Sequence, residues 1–282
     1  VLINVPIAVS LAVVTVVTMV ITQGLYILPN VALIMYTGAT KFPLIAIPLF
    51  ILAGAIMNAT GISRRLIGLA SALLGFIRGG LAMVNVGASM FFAEISGSAV
   101  ADVAAIGSIL IPAMKKKGYP IEFSTAITSS AATLAVIIPP SIPMILYAVM
   151  ADTSVTQMFV AGIIPGVLGG FGLMGMAYAF ARRYNYPVED VFNLCNVWLR
   201  FKESFWALTL PFIILGGIFT GWVTATEGAG LAVLAALVIG LVIYRELDPK
   251  QLVKSVIEGG EQTAVVMLLV ASSALIGVYL TE

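Results

Sequence analysis

Seven apolar stretches, at about 5–28, 43–59, 124–150, 158–181, 204–223, 226–244 and 263–281, each approach the length of a membrane-spanning helix. About 20 residues rising 1.5 Å apiece cross a hydrocarbon core of about 30 Å. Charged residues make up 10% of the chain and hydrophobic residues 61%, where a soluble domain carries about 25% charge. The expected fold class is an all-α integral membrane protein, a polytopic helical bundle in contact with membrane lipid. The 282 residues contain no histidine, which excludes Ser–His nucleophilic catalysis, imidazole-based metal or haem sites and histidine proton relays. Cys195 is the only cysteine, so there is no internal disulfide. A net charge of +1, with no basic patch beyond Lys115-Lys116-Lys117, gives no reason to expect a nucleic-acid partner. The chain opens at Val1 without methionine and closes straight after an apolar run, so both ends read as cuts through a longer protein.

An eighth apolar stretch, 81–114, does not fit the pattern. As one helix it would run about 50 Å; split at Ser96-Gly97-Ser98, each half of about 15 residues reaches only about 22 Å. The alternatives are a long tilted span or a re-entrant hairpin that enters and leaves on one face. Positive charge favours the hairpin. With the first helix running outward and 81–114 re-entrant, 13 of the 14 lysines and arginines fall on the inner side and Lys41 alone lies outside. A full span would put Arg78 and Lys115–Lys117 on opposite faces and spoil that bias.

IIPPSIP, residues 137–143, interrupts the stretch 124–150. Its three prolines remove backbone donors and push the preceding residues out of helical geometry, which predicts a broken helix. Carbonyls freed at membrane depth need protein or a water-filled cavity around them. The order of segments suggests inverted symmetry: 5–28 outward, 43–59 inward, then a hairpin, against 226–244 inward and 263–281 outward. Residues 61–78 are amphipathic with arginine at both ends, expected to lie along the inner surface. Residues 184–203, with Glu189, Asp190 and Trp198, read as an interfacial connector. TATE at 224–227 fits a helix capping box, Thr224 with Glu227.

The polar cluster EISGSAVAD, 94–102, carries the chemistry. Serine hydroxyls and unwound carbonyls are neutral, closely spaced oxygen ligands suited to sodium, and half-helix N-termini can hold a carboxylate. Gly97 permits a tight turn. Asp102 would lend negative charge to a cation or cap a backbone donor, and Glu94 is expected to be paired, water-exposed or protonated. Facing the tip, Pro139-Pro140-Ser141 would supply groups from a second direction. For Ser71, Ser89, Ser108, Ser272 and Ser273 close helix packing is the preferred role.

The segments PLIAIPLFILAGAIMNATGIS (43–63), ASMFFAEISGSAVADVAAIGSILIPAMKKKGYP (88–120), AATLAVIIPPSIPMILYAVMADTSVTQMFVAGIIPG (131–166) and GGIFTGWVTATEGAGLAV (216–233) together resemble the large membrane subunit of TRAP transporters, the tripartite ATP-independent periplasmic transporters of bacteria and archaea. The resemblance implies a sodium-coupled secondary importer with an inverted-repeat, elevator-type fold in the inner (cytoplasmic) membrane. It would work with a small membrane subunit and a periplasmic binding protein that delivers an organic acid such as a dicarboxylate or a sialic acid. The coupling ion would be sodium, with no other cofactor. Carried over, the candidate sodium residues are Ser96, Ser98, Asp102, Thr133 and Pro139, and the candidate substrate-binding residues are Ser96, Gly97, Ser98, Pro140 and Ser141. The implied division is 1–42 as a scaffold helix and outer loop and 43–166 as a first transport region containing the hairpin 81–114 and the broken helix 124–150. Residues 167–203 would be a helix end and interfacial connector. Residues 204–282 would hold second-repeat scaffold helices and the start of a second transport half, whose hairpin would lie past Glu282. Two departures stand out: Glu94 where glycine or alanine is the family's habit, and TATEGAG in place of a TPTEAAA-like run.

Three other readings compete. A different ion-coupled anion transporter of the same inverted plan would need no binding protein. An intramembrane enzyme built on Ser96 or Ser98 with Asp102 would need a lysine base, and the hairpin lysines all lie at its basal end. A structural scaffold would show no ion response.

Overall fold

The computed structural model describes residues 5–188 and 192–281, with the backbone alone described at 94–96. These residues fold into twelve α-helices: α1 Ile7–Gln23, α2 Leu28–Ala39, α3 Ala46–Ala59, α4 Ile62–Leu74, α5 Gly80–Ser96, α6 Ala99–Lys116, α7 Ile121–Ala132, α8 Ile142–Met150, α9 Val155–Arg183, α10 Leu194–Phe219, α11 Ala225–Val238 and α12 Pro249–Thr281. Among the described residues, five segments are long and apolar enough to cross a membrane: Phe42–Ala59, Val155–Arg183, Leu194–Phe219, Ala225–Ile243 and Pro249–Thr281. The protein is a multi-pass helical membrane protein.

The principal core forms around α3. Ile47, Phe50, Ile51, Ala53, Ile56 and Met57 are all buried, so α3 is covered on nearly every side, as a central helix must be. It packs on α11 and α12, while α1 packs against α12. A capping box starts α11: the Glu227 carboxylate accepts from the Thr224 N–H at 2.7 Å and the Thr224 hydroxyl accepts from the Glu227 N–H at 3.3 Å.

Helices α5 and α6 turn back on each other at Gly97-Ser98 and pack together. Both ends of this hairpin meet the same region. At one base, the Gly79 N–H donates to the Pro187 carbonyl at 3.1 Å. At the other, the Tyr119 ring lies 4.6 Å from that of Tyr186. Phe123, Phe180 and Tyr184 extend the aromatic cluster. The loops expected to share the inner side, around Arg78, Lys115–Lys117 and Arg182-Arg183, are therefore gathered in space. Lys41, the lone expected outer cation, is held at the opposite end of the broken helix, where its Nζ donates to the Val149 carbonyl at 3.5 Å, near the negative end of α8.

The broken helix forms as its prolines require. Helix α7 tightens into a 3-10 turn, Thr133–Val136; Pro139 and Pro140 follow, joined by a cis peptide; and α8 restarts with Pro143 in its first turn, where the missing N–H costs nothing. Helix α9 lies against this break through Gly162 and Gly166. A Cβ at Gly162 would strike the Ile137 carbonyl and the Met144 methyl, and one at Gly166 would fall 2.6 Å from Ile138 Cγ1.

Four boundaries and one placement differ from the sequence reading. The first stretch, 5–28, does not continue as one helix: Gly24, at φ +89°, ends α1 after Gln23. The expected outer loop inside 1–42 is then largely helix α2, because Pro29 sits in its first turn and starts the helix rather than breaking it. In the expected connector 184–203, α10 begins at Leu194, capped by the Asn193 side chain accepting from the Cys195 N–H at 3.0 Å. The last span starts at Pro249 rather than 263, since the polar run 249–262 continues the same helix. Finally, the apolar stripe of α4, with Ile62, Leu66, Leu69 and Ala70 buried, packs on α5 and α10, so protein rather than a membrane surface covers it.

Candidate functional site

Two helix breaks meet at the head of a cleft. Gly97 closes α5 in the left-handed region, φ +56°, and its N–H donates to the Ala93 carbonyl at 3.2 Å. That conformation frees the chain to reverse within two residues. Ser98 then caps α6: its hydroxyl accepts from the Ala101 N–H at 3.4 Å, and its carbonyl accepts from the Asp102 N–H at 3.0 Å. Asp102 is wholly buried in the first turn of α6, the end of a helix that favours a carboxylate.

The second break lies directly against the first. A Cβ on Gly97 would fall 3.0 Å from the Pro140 carbonyl oxygen, 3.4 Å from the Ile142 nitrogen and 3.5 Å from the Ser141 Cα. Gly97, Ser98, Pro140 and Ser141, proposed from the sequence to face one another, are thus brought together. Ser141 is buried, in extended geometry, and caps α8 without a side-chain bond to that helix; its hydroxyl instead donates to the Val136 carbonyl at 2.7 Å. The hydroxyl thereby satisfies an end carbonyl of the interrupted segment. Pro139 is buried beside it. Thr133 is exposed at the start of the 3-10 turn, and its hydroxyl donates within its own segment, to Ser130 at 2.7 Å. The side chains of Ser96 and Glu94 lie outside the described residues.

The electrostatics of the locus combine backbone ends with the carboxylate of Asp102. The N-termini of α6 and α8 converge here, each carrying roughly half a positive charge. The C-terminal ends of α5 and of the 3-10 turn lie beside them, bringing carbonyl oxygens. One locus therefore offers donors fit for a carboxylate and acceptors fit for a small cation.

A cleft of about 530 Å³ opens from this locus, lined by Ser98, Ala101 and Ile142 on one wall and by Asn58 of α3 and Glu258 and Gln262 of α12 on the other. Sharing Asn58, Ala104, Glu258 and Gln262, it continues into a second space of about 690 Å³ that reaches Ser63, Arg64 and Glu246. A separate groove of about 560 Å³ between α4, α5 and α10, lined by Leu69, Phe91, Trp198 and Phe201 among others, has a wholly apolar wall and lacks groups to orient a polar solute.

Asn58, Glu258, Glu261 and Gln262 were missed in the sequence. The signal was the motif EGGEQ at 258–262, just ahead of the expected span 263–281; within α12 it places two acids and an amide on a membrane helix.

The profile of the DctM component of tripartite ATP-independent periplasmic transporters matches residues 1–282. The isethionate TRAP transporter permease protein DctMQ of Oleidesulfovibrio alaskensis is 42% identical over 99% of this chain and 44% of its own length. The C4-dicarboxylate TRAP transporter large permease protein DctM of Pseudomonas aeruginosa is 40% identical over 89% of this chain and 59% of its own length. The sialic acid TRAP transporter permease protein SiaT of Haemophilus influenzae is 40% identical over 84% of this chain and 38% of its own length. The chain thus spans less than two thirds of the length of each of these relatives. With its paired helix breaks, its polar hairpin tip and a match running from the first residue to the last, the chain belongs to the DctM family of TRAP transporter large permease components.

Proposed function

We propose that this chain supplies the first hairpin and its facing broken helix to the large permease subunit of a sodium-coupled importer of small organic acids. The observation that carries this reading is the apposition of Gly97 and Pro140–Ser141, which joins two helix N-termini and two carbonyl-bearing ends at the head of a cleft that Asn58, Glu258 and Gln262 also line. A carboxylate would take N–H groups of α6 and α8. Sodium would take oxygens among Ser96, Ser98, Asp102, Thr133 and Pro139, with Asp102 offsetting its charge. Relatives named for isethionate, C4-dicarboxylates and sialic acid share an acidic group on otherwise different solutes. That is the property such a site can recognise.

Transport would proceed by an elevator motion, with α3, the hairpin and the broken helix moving as a unit past the scaffold helices. The inverted plan is supported by packing: α3 on α11 and α1 on α12 are the pairs that exchanging 5–28 with 226–244 and 43–59 with 263–281 would interconvert. The partners are a small membrane subunit and a periplasmic binding protein, and the membrane is the inner one.

The test uses the full-length permease with its small subunit in detergent. Thermal unfolding is compared in sodium and potassium chloride at equal ionic strength, because an ion that binds only the folded state raises its stability by mass action. A sodium-specific rise that is lost in Ser98→Ala supports the reading; an equal response to both ions in intact protein overturns it. Uptake that survives deletion of the binding protein would instead favour an ion-coupled transporter of the same plan that works alone.

A further inference from the structure

Inside the hairpin, away from its tip, two fully buried polar atoms stand out. Asn85 Oδ1 and Ser89 Oγ have no hydrogen-bond partner among the described residues, and both side chains are at most 1% exposed. They lie one helical turn apart on α5, on the stripe that carries buried Ala82, Val86 and Ala93 into the second apolar core.

Ser89 breaks a habit of this protein. The hydroxyls of Thr15, Ser108, Ser124, Thr128 and Ser272 each donate to a carbonyl three or four residues back along the chain. Ser89 does not, although the same bond is open to any helical serine. The orientation of the Asn85 amide is also determined by its neighbours. Thr128 Oγ1 donates to the Ser124 carbonyl at 2.7 Å and so accepts from Asn85 Nδ2, also at 2.7 Å. Met114 Sδ lies 3.8 Å from the same nitrogen. Oδ1 is left needing a donor, and Ser89, one turn along, can both donate and accept.

We propose that Asn85 Oδ1 and Ser89 Oγ hold one internal water molecule, which extends the Asn85–Thr128 link between α5 and α7 to Ser89 near the base of the hairpin. Water can donate to the amide oxygen and also exchange a bond with the hydroxyl. A bare cation would need oxygens on every side, whereas the core that shares this stripe is apolar, with Ala82, Val86, Met114 and Ala131 among its members. Buried waters are held by two to four such bonds and serve polar atoms that packing leaves over. The proposal is independent of sodium coupling at the tip.

The experiment is a double-mutant cycle on the full-length permease with its small subunit, read by thermal unfolding. If the water is present, Ser89→Ala removes one of its bonds and lowers the midpoint by about 2–4 °C. In an Asn85→Leu background the same change then has little further effect, because both residues serve one molecule. If the hydroxyl is simply unpaired, Ser89→Ala leaves the midpoint unchanged or raises it, which overturns the proposal. A loss confined to sodium buffer and absent in potassium also overturns it, by identifying an ion. Should Asn85→Leu not fold, a high-resolution map of the unmodified permease decides: density for a water within hydrogen-bond distance of both atoms supports it, and its absence overturns it.

Discussion

Arg65 and Glu246, 181 positions apart, form a two-pronged ion pair: Nη2 to Oε1 at 2.6 Å and Nη1 to Oε2 at 3.0 Å. The Arg65 guanidinium also lies 3.9 Å over the Tyr244 ring, and Nη1 donates to the Thr60 carbonyl at 3.2 Å. Ser204 donates to the Arg65 carbonyl at 2.9 Å, and Tyr244 to the Glu203 carbonyl at 3.0 Å. The junction of α3 and α4 is thereby tied to α10 and to the turn after α11, at the end of the cleft remote from Ser98.

This pair predicts an acid-sensitive contribution to stability. The Arg65 hydrogen bonds hold the Glu246 carboxyl below its usual range, with the charges of Arg65 and Arg64 adding to the effect and burial opposing it. A depressed carboxylate contributes stability that is complete above its unfolded-state value and is lost as pH falls through the folded one. The unfolding midpoint should therefore drop as pH is lowered below the ordinary glutamate range, and Glu246→Gln should lack that part of the drop. With Glu246 44% exposed, the effect is at most about 1 kcal/mol.

Gly97→Ala tests the closeness of the two breaks. Alanine at φ +56° costs about 1–2 kcal/mol, and its methyl would press on the Pro140 carbonyl. We expect a modest fall in unfolding midpoint together with a much larger loss of uptake in vesicles reconstituted with the complete transporter. A loss of uptake no larger than the loss of folded protein would remove Gly97 from the site.

Thr224→Ala is the contrasting case. It abolishes the capping box of α11 and should cost about 1 kcal/mol, with a range of roughly 0.5–2. Thr224 lines neither space of the cleft, so transport per folded molecule should be unchanged.

Cysteine labelling tests the cleft and the sidedness of the hairpin. In a Cys195→Ser background, Ala104→Cys and Ser108→Cys should react with a water-soluble maleimide, whereas Ala131→Cys, at a buried position, should not. Cysteines at Arg78 and Gly118 should label from the same side of the membrane. Labelling from opposite sides would make 81–114 a full span.

What the sequence determined by itself was local. Glycine and proline act on their own backbone, so the reversal at Gly97 and the interruption at Pro139-Pro140 were legible from single residues, as was the Thr224–Glu227 cap, a contact three positions long. The grouping of basic loops was also readable, because charge selects a side without reference to packing. Where local cues were ambiguous the reading missed: Pro29 starts α2 as readily as it could have ended a helix, and the polar run 249–262 continues α12 once protein lines one of its faces. Tertiary structure alone decided the rest. That Gly97 rests on Pro140, that Glu258 faces Ser98 across a cleft, and that Arg65 finds Glu246 all depend on how α3 packs against α11 and α12. No residue's own propensity encodes such distances; they follow from the shapes of helix faces meeting across the bundle.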